Sequence, residues 1–287
     1  LHKLEGPSAT YNMPLALRLK GAVDHEALRG ALHDVIARHE SLRTVFPEAD
    51  GEPRQAVLEA AAVDFGWRVR PVTADGLAGA LRDAAAHPFD LAAEAPVRAE
   101  LFEETDADGG PSHVLLILLH HIAGDAWSAG RLIRDLAAAY TACREGGTPR
   151  WPALPVQYID YALWQRDVLG DEDDPDSAIS RQIAYWRKLL DGAPEELALP
   201  ADRPRPAEPS YAGGAVTFEL PVRTHRALAS LATASGASPA MVIQAAVAAL
   251  LAKHGAGTDI VLGTPVAGRT DETLDDLVGF FVNTLVL

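Results

Sequence analysis

One cysteine stands in a chain of 287 residues. Cys143 has no partner within the chain, so no intrachain disulfide can form, which fits a reducing, cytoplasmic setting. Basic runs are missing too. The formal net charge is -15, and lysine and arginine never cluster. That argues against a nucleic-acid surface, while acidity itself speaks to solubility rather than to fold. No apolar stretch reaches the length of a membrane span, and no signal peptide opens the chain. Neither nucleic acid nor membrane is an expected partner.

What is present suffices for a core. Hydrophobic residues make up 48%, so global disorder is excluded. The length fits one large domain or two medium ones. The chain starts at Leu1 without methionine and stops at Leu287 inside an apolar stretch, which reads as a segment of something longer.

Periodicity places the elements. Leu15, Leu17 and Leu19 alternate with small or polar residues, as a strand does. Asp24 can cap a helix with its stripe at Leu28, Ala31, Leu32, Val35 and Ile36. Strands are predicted over 55–59, 67–72 and 97–102, and a helix over 77–86. Residues 114–119 are apolar without alternation, so both faces of that strand should be covered, as in an α/β layer. Leu132, Ile133, Leu136, Ala139, Tyr140 and Cys143 then recur at helical spacing until Gly146-Gly147. Two more helices are expected near 155–169 and 178–190. Residues 192–214 hold five prolines and a closing Gly213-Gly214, and read as an extended connector. The pattern then restarts. Val216, Phe218 and Leu220 alternate like a strand, 223–235 looks helical, and Ser238-Pro239 opens another helix. Strands are expected at 260–262 and 281–287. Domain organisation is therefore 1–191, a connector at 192–214, and 215–287.

The chemistry concentrates where the buried strand ends. His120-His121-Ile122-Ala123-Gly124-Asp125-Ala126-Trp127-Ser128 puts two histidines and a spaced acid at the rim of a rigid support. Neighbours on a strand point to opposite faces, so one ring should pack and the other should face a cavity. The same geometry argues against the pair holding one metal ion, and no zinc site is expected. Gly263 to Arg269 lacks the ending and glycine spacing of a phosphate loop. Ser128 has no nucleophile-elbow pattern around it and reads as a helix cap.

These residues resemble the condensation domain of nonribosomal peptide synthetases. That family belongs to the chloramphenicol acetyltransferase-like superfamily, with an HHxxxDG signature. Four blocks match in order and spacing: Arg38 to Phe46, His120 to Ser128, Tyr158 to Trp164, and Val278 to Thr284. The resemblance covers the whole chain, with the family's opening motif lying upstream of Leu1 and its last blocks beyond Leu287. It implies an α/β (α+β, two-layer) fold of two lobes forming a pseudo-dimer, the second lobe incomplete here, with the active site in a tunnel between them. One departure lies inside the signature: Ala126 stands where the family has glycine. If φ were positive there, alanine would cost about 1 kcal/mol or more; if not, its methyl group would crowd the tunnel.

The implied reaction is amide formation between two thioester-tethered reactants. An upstream peptidyl carrier protein presents the donor on 4'-phosphopantetheine, and a downstream carrier presents an aminoacyl acceptor; no cofactor is bound directly. An adenylation domain is an expected neighbour. His121 is the candidate catalytic residue, positioning the amine with partial proton transfer, and His120 is structural. In the family the aspartate forms a buried ion pair with an early arginine. Arg38 is the first choice of partner for Asp125, and Arg43 the second. Gly124 and Ala126 belong to the motif wall. Trp127 lines the acceptor side of the tunnel or packs in the core. Asn283 and the Tyr158–Trp164 block are packing or lobe-contact elements. The Gly6 to Asn12 stretch resembles the subtype joining an L donor to an L acceptor. The alternatives are an epimerisation or dual epimerisation–condensation domain, an inactive recruitment module (relatives of that kind lose the second histidine), and a free-standing acyltransferase that uses coenzyme A.

Overall fold

The computed structural model describes residues 6, 8–105, 111–204, 206 and 213–287. The 1–4 stretch adjoining the expected upstream motif, Pro7 of the subtype stretch, and residues 205 and 207–212 of the proline-rich segment lie outside them.

In chain order the strands are β1 (Asn12–Lys20), β2 (Thr44–Val45), β3 (Glu48–Ala49), β4 (Glu52–Pro53), β5 (Ala56–Val57), β6 (Arg68–Val72), β7 (Val97–Thr105), β8 (Pro111–His120), β9 (Gly263–Val266) and β10 (Asn283–Val286). The helices are α1 (His25–Arg38), α2 (Ala74–Ala85), α3 (Ala126–Arg144), α4 (Tyr158–Leu169), α5 (Ala178–Leu189), α6 (Val222–Ala234) and α7 (Pro239–Lys253). The described chain divides into two compact units. One comprises Leu1–Gly170 and Ala267–Val282, the other Asp171–Val266 and Asn283–Leu287.

The first unit is built on a four-stranded sheet in the order β1-β8-β7-β6. β8 runs antiparallel to both β1 and β7, and β6 runs parallel to β7. The central position of β8 explains its composition. Leu115, Ile117 and Leu119 join a cluster with Leu28, Leu32, Val35 and Ile36 of α1 and Leu132 and Leu136 of α3. On the other face Val114 and Leu116 meet Leu77 of α2, and Leu118 meets Phe89 and Leu91. With both faces covered there is no polar side to alternate with. Each such leucine removed from water stabilises by roughly 1.5–3 kcal/mol. β1 sits at the sheet edge, and its alternation is visible as half-buried Leu15, Leu17 and Leu19 between exposed neighbours.

Helix starts follow local chemistry. Asp24 caps α1 by accepting from the Ala27 N–H at 2.9 Å. Ser238 caps α7 through the Met241 N–H at 3.2 Å, with Pro239 in the first turn. Such caps satisfy N–H groups that have no partner inside the helix.

In the second unit α6 packs on α7 and buries Ala232, and β9 pairs antiparallel with β10. Two expectations need correction there. Residues 216–220 form no strand; Val216 is 90% and Phe218 81% exposed. Alternation produces a strand only where a neighbour supplies the ladder, and none of the described strands does. The strand expected at 260–262 starts later, at Gly263, although Leu262 already exchanges both backbone bonds with Leu287 (2.9 and 2.8 Å). No single described helix is long and apolar enough to cross a membrane.

Candidate functional site

The two histidines sit where β8 leaves the sheet. The His120 N–H donates to the Pro96 carbonyl at 3.0 Å, and the His121 N–H to the Tyr11 carbonyl at 2.8 Å. Both backbones are thereby tied to neighbouring segments. The His120 ring is buried, and its Nδ1 accepts from the Ile122 N–H at 3.1 Å. That bond assigns the ring proton to Nε2 in the neutral imidazole. The ring stands edge-on to Phe89 at 6.0 Å and tilted against Tyr11 at 6.1 Å between centroids. These contacts are those of a packing residue.

His121 differs. It is half-buried, and its ring stands edge-on to Phe280, 5.1 Å between centroids. Its Nδ1 is buried without a hydrogen-bond partner among the described residues.

Asp125 caps α3. Its Oδ1 accepts from the Ser128 N–H and from the Ser128 Oγ–H, both at 2.9 Å, and Oδ2 accepts from the Phe281 N–H at 3.0 Å. Arg269 Nη2 lies 3.6 Å from Oδ1, with both side chains nearly sealed from solvent. The Ser128 hydroxyl lies 2.9 Å from the Gly279 carbonyl and accepts from the Gly279 N–H at 3.2 Å. Arg269 lies over the Phe281 ring at 4.1 Å. The N-terminus of α3 therefore fastens the 278–281 segment, and with it Phe280 against His121.

The other blocks fasten the same segment. Ser41 Oγ–H donates to the Val278 carbonyl at 2.7 Å, and the Val278 N–H donates to His39 Nδ1 at 3.4 Å. Tyr158 O–H donates to the Phe280 carbonyl at 2.7 Å. Burial, with smaller contributions from Tyr161 and Asp125, pushes the Tyr158 hydroxyl up to about 12, so it remains a donor at neutral pH. Three of the four blocks thus converge on residues 278–281, which lie in the fourth. Gly279 is required by space: a Cβ there would lie 2.4 Å from Tyr158 Cδ2.

Arg38 and Arg43 are placed differently from the sequence expectation. Arg38 Nε donates to Asp135 Oδ2 at 2.9 Å, Nη1 donates to the Pro152 carbonyl at 2.8 Å, and the guanidinium covers Trp151. Arg43 donates to the Leu58 carbonyl and to Glu40. Among the described residues the ion pair of Asp125 is with Arg269, not with either early arginine. Asp135 instead anchors the early block, because His39 Nε2 also donates to its Oδ2 at 3.0 Å. Burial lowers the His39 pKa despite this partner. Burial opposes ionisation of Asp135, but its bond to His39 and the nearby arginines prevail and lower its pKa.

Gly124 is buried but not confined; an added Cβ would meet Leu119 Cδ1 at 3.4 Å, an ordinary contact. Ala126 opens α3 with φ outside the left-handed region and is exposed. The backbone penalty considered for alanine there does not arise. Trp127 is 41% exposed and so is not a core residue. Asn283 is exposed on β10.

Sequence reasoning misses Arg269 and Asp135, and it places Phe280 in a matched block without a role. Arg269 ends the 263–269 stretch, whose only local resemblance is to a phosphate loop. Nothing local marks it as the partner of an aspartate so far away in sequence. A cavity of about 350 Å³ lies beside α4, lined by Asp160, Tyr161, Trp164, Asp271 and Leu274 among others. His121 does not line it.

A family model described as the condensation domain matches residues 1–287. The chain is 60% identical over 287 residues to a probable non-canonical nonribosomal peptide synthetase, CymA, of Salinispora arenicola (strain CNS-205), covering all of the chain and 4% of that protein. It is 50% identical over 287 residues to a dimodular nonribosomal peptide synthase of Bacillus subtilis (strain 168), covering all of the chain and 12% of that relative. Among solved structures it is similar to the X-domain from teicoplanin biosynthesis: TM-score 0.89 and 39% identity over 96% of this chain and 60% of the other. It is also similar to the first condensation domain of the CDA synthetase: TM-score 0.74 and 26% identity over 100% of this chain and 67% of the other. The chain thus spans a small part of the curated relatives it matches.

Proposed function

The chain belongs to the condensation-domain family of nonribosomal peptide synthetases, and from that premise we propose that it joins a carrier-bound donor thioester to a carrier-bound aminoacyl acceptor. One observation carries the reading: a half-buried imidazole at the end of β8, braced by Phe280, on a backbone whose N–H is tied to the Tyr11 carbonyl.

The chemistry asks little of the protein beyond placement. The acceptor amine attacks the thioester carbonyl, a C–N bond forms, and a tetrahedral oxyanion results. The oxyanion collapses, the C–S bond breaks, and the proton lost by the amine ends on the pantetheine thiol. Holding two tethered reactants together can supply effective molarities of roughly 10⁵–10⁸ M. His121 orients the amine and shares its proton as the bond forms. His120 and Asp125 keep the support rigid. The 4'-phosphopantetheine arms of donor and acceptor carrier proteins deliver the substrates, an adenylation domain loads the acceptor, and the reaction takes place in the cytoplasm. The Gly6 to Asn12 stretch supports an L donor and an L acceptor.

A second reading has a specific observation behind it. The chain is similar, with TM-score 0.88 and 39% identity, to an X-domain solved in complex with OxyB from teicoplanin biosynthesis. Read that way, the chain would recruit a partner enzyme without catalysing. Retention of His121 favours catalysis. The test is product formation by the intact protein with loaded donor and acceptor carriers. Dipeptidyl product that disappears in His121→Ala supports the enzyme. No product from the unaltered protein, with loading of both carriers verified, overturns it.

A further inference from the structure

We propose that His25, Glu103 and His113 form a binding site for a divalent transition-metal ion, with Zn²⁺ the best-suited ion. The site is far from the candidate active site. His113 and His121 lie eight residues apart in the chain, roughly 26 Å at strand rise.

Three elements converge there. His113 of β8 and Glu103 of β7 are direct register partners, so their side chains stand on the same face of the sheet. It is the face that α1 covers further along, through Leu101, Leu115 and Ile117. His25 is the first residue of α1. One ligand atom from each of the three residues lies within 4.8 Å of the other two. His25 Nε2 is 3.4 Å from Glu103 Oε1, and the two imidazoles stand edge-on with centroids 5.8 Å apart.

The donor set suits the ion. Two imidazoles and a carboxylate are borderline N/O ligands, the type that tetrahedral Zn²⁺ takes with a water in the fourth position. Ligand atoms at 2.0–2.1 Å from a tetrahedral centre lie about 3.4 Å from one another. The His25–Glu103 separation already meets that. Closing the remaining distances needs only small rotations, and His25 and Glu103 are partly exposed and free to make them. His113 is the fixed member. It is buried, and its Nδ1 has no hydrogen-bond partner among the described residues. A buried imidazole with an unused nitrogen, facing a second imidazole and a carboxylate, has donor capacity that a cation would satisfy. A bound ion would clamp the start of α1 to the β7–β8 pair.

The test is Zn²⁺ titration of the intact, chelator-stripped protein by calorimetry, alongside His25→Ala and Glu103→Gln. Co²⁺ serves as a second probe, because its visible absorption reports a low-coordinate N/O site. The expected result is one equivalent of Zn²⁺ bound at these residues and lost or weakened at least tenfold in each variant, with the Co²⁺ bands lost in parallel. Both substitutions fall on partly exposed side chains, and circular dichroism checks that the fold persists. No Zn²⁺ binding by the unaltered protein would overturn the proposal, as would unchanged stoichiometry and affinity in both variants.

Discussion

The carboxylate of Asp125 accepts a hydrogen bond from the Phe281 N–H at 3.0 Å. A residue that caps a helix beside the histidine pair thus also holds the segment carrying Phe280. Asp125 is buried and faces Arg269, an arrangement that suits a structural lock rather than an acid or base.

Removing one member of a buried ion pair costs about 3–5 kcal/mol, because the other charge is left uncompensated. Asp125→Ala and Arg269→Ala should each lower unfolding stability by about that much in denaturant titrations. The double variant should lose clearly less than the sum. Additive losses would mean that the two side chains are not coupled.

Arg38 should couple to Asp135 and not to Asp125. Double-variant cycles of Arg38→Ala with Asp135→Asn, and of Arg38→Ala with Asp125→Asn, separate the two. The first cycle should show an interaction of about 0.5–3 kcal/mol and the second nearly none. A strong second cycle would restore the partner read from the sequence.

His39 makes stability depend on pH. Its pKa lies below the ordinary 6.5 because burial disfavours the imidazolium. The neutral ring also accepts from Val278 through Nδ1, which protonation would end. As pH falls below 6.5 the unfolded chain takes up a proton that the folded chain resists, so stability falls. Asp135, lowered from 3.8, adds a second loss as pH falls further. Unfolding free energy should therefore decline between about pH 7 and 5. His39→Gln, which can still donate to Asp135, should flatten that limb. Equal slopes in the two proteins would contradict the assignment.

Two glycines beside the site should respond unequally to alanine. Gly279→Ala places a methyl 2.4 Å from Tyr158 Cδ2 and 2.8 Å from Phe281 Cε2. It should destabilise by about 1–3 kcal/mol as these rings shift. Gly124→Ala meets its first neighbour at 3.4 Å and should leave the melting temperature nearly unchanged. Ala126→Gly should cost no more than about 1 kcal/mol, the helix-propensity difference. Reversed rankings would show that the 278–281 segment is not packed as described.

Much of this was legible locally. The apolar run of β8 announced a strand covered on both faces, because its neighbours leave no polar side. Asp24 and Ser238 announced caps, since a cap and its N–H lie within three residues. Ser128 read as a cap and completes one reciprocally with Asp125. Distant partners were not legible. Asp125 could have met any arginine in the chain, and only the folded path of residues 267–282 selects Arg269. Phe280 faces His121 for the same reason. The alternation at 216–220 states which face would be buried but not what would bury it. The Zn²⁺ ligands come from a helix start and two strands, a spacing no motif encodes.

The most direct test of the central claim is the single-turnover rate of peptide-bond formation, with both carriers preloaded, for the unaltered protein and His121→Ala. Carrier binding and thermal stability are measured alongside. The expected result is a rate about 10²–10⁴-fold lower in the variant, with carrier affinity and melting temperature unchanged. A variant that condenses within a few-fold of the unaltered rate would show that the imidazole beside Phe280 takes no part in the chemistry.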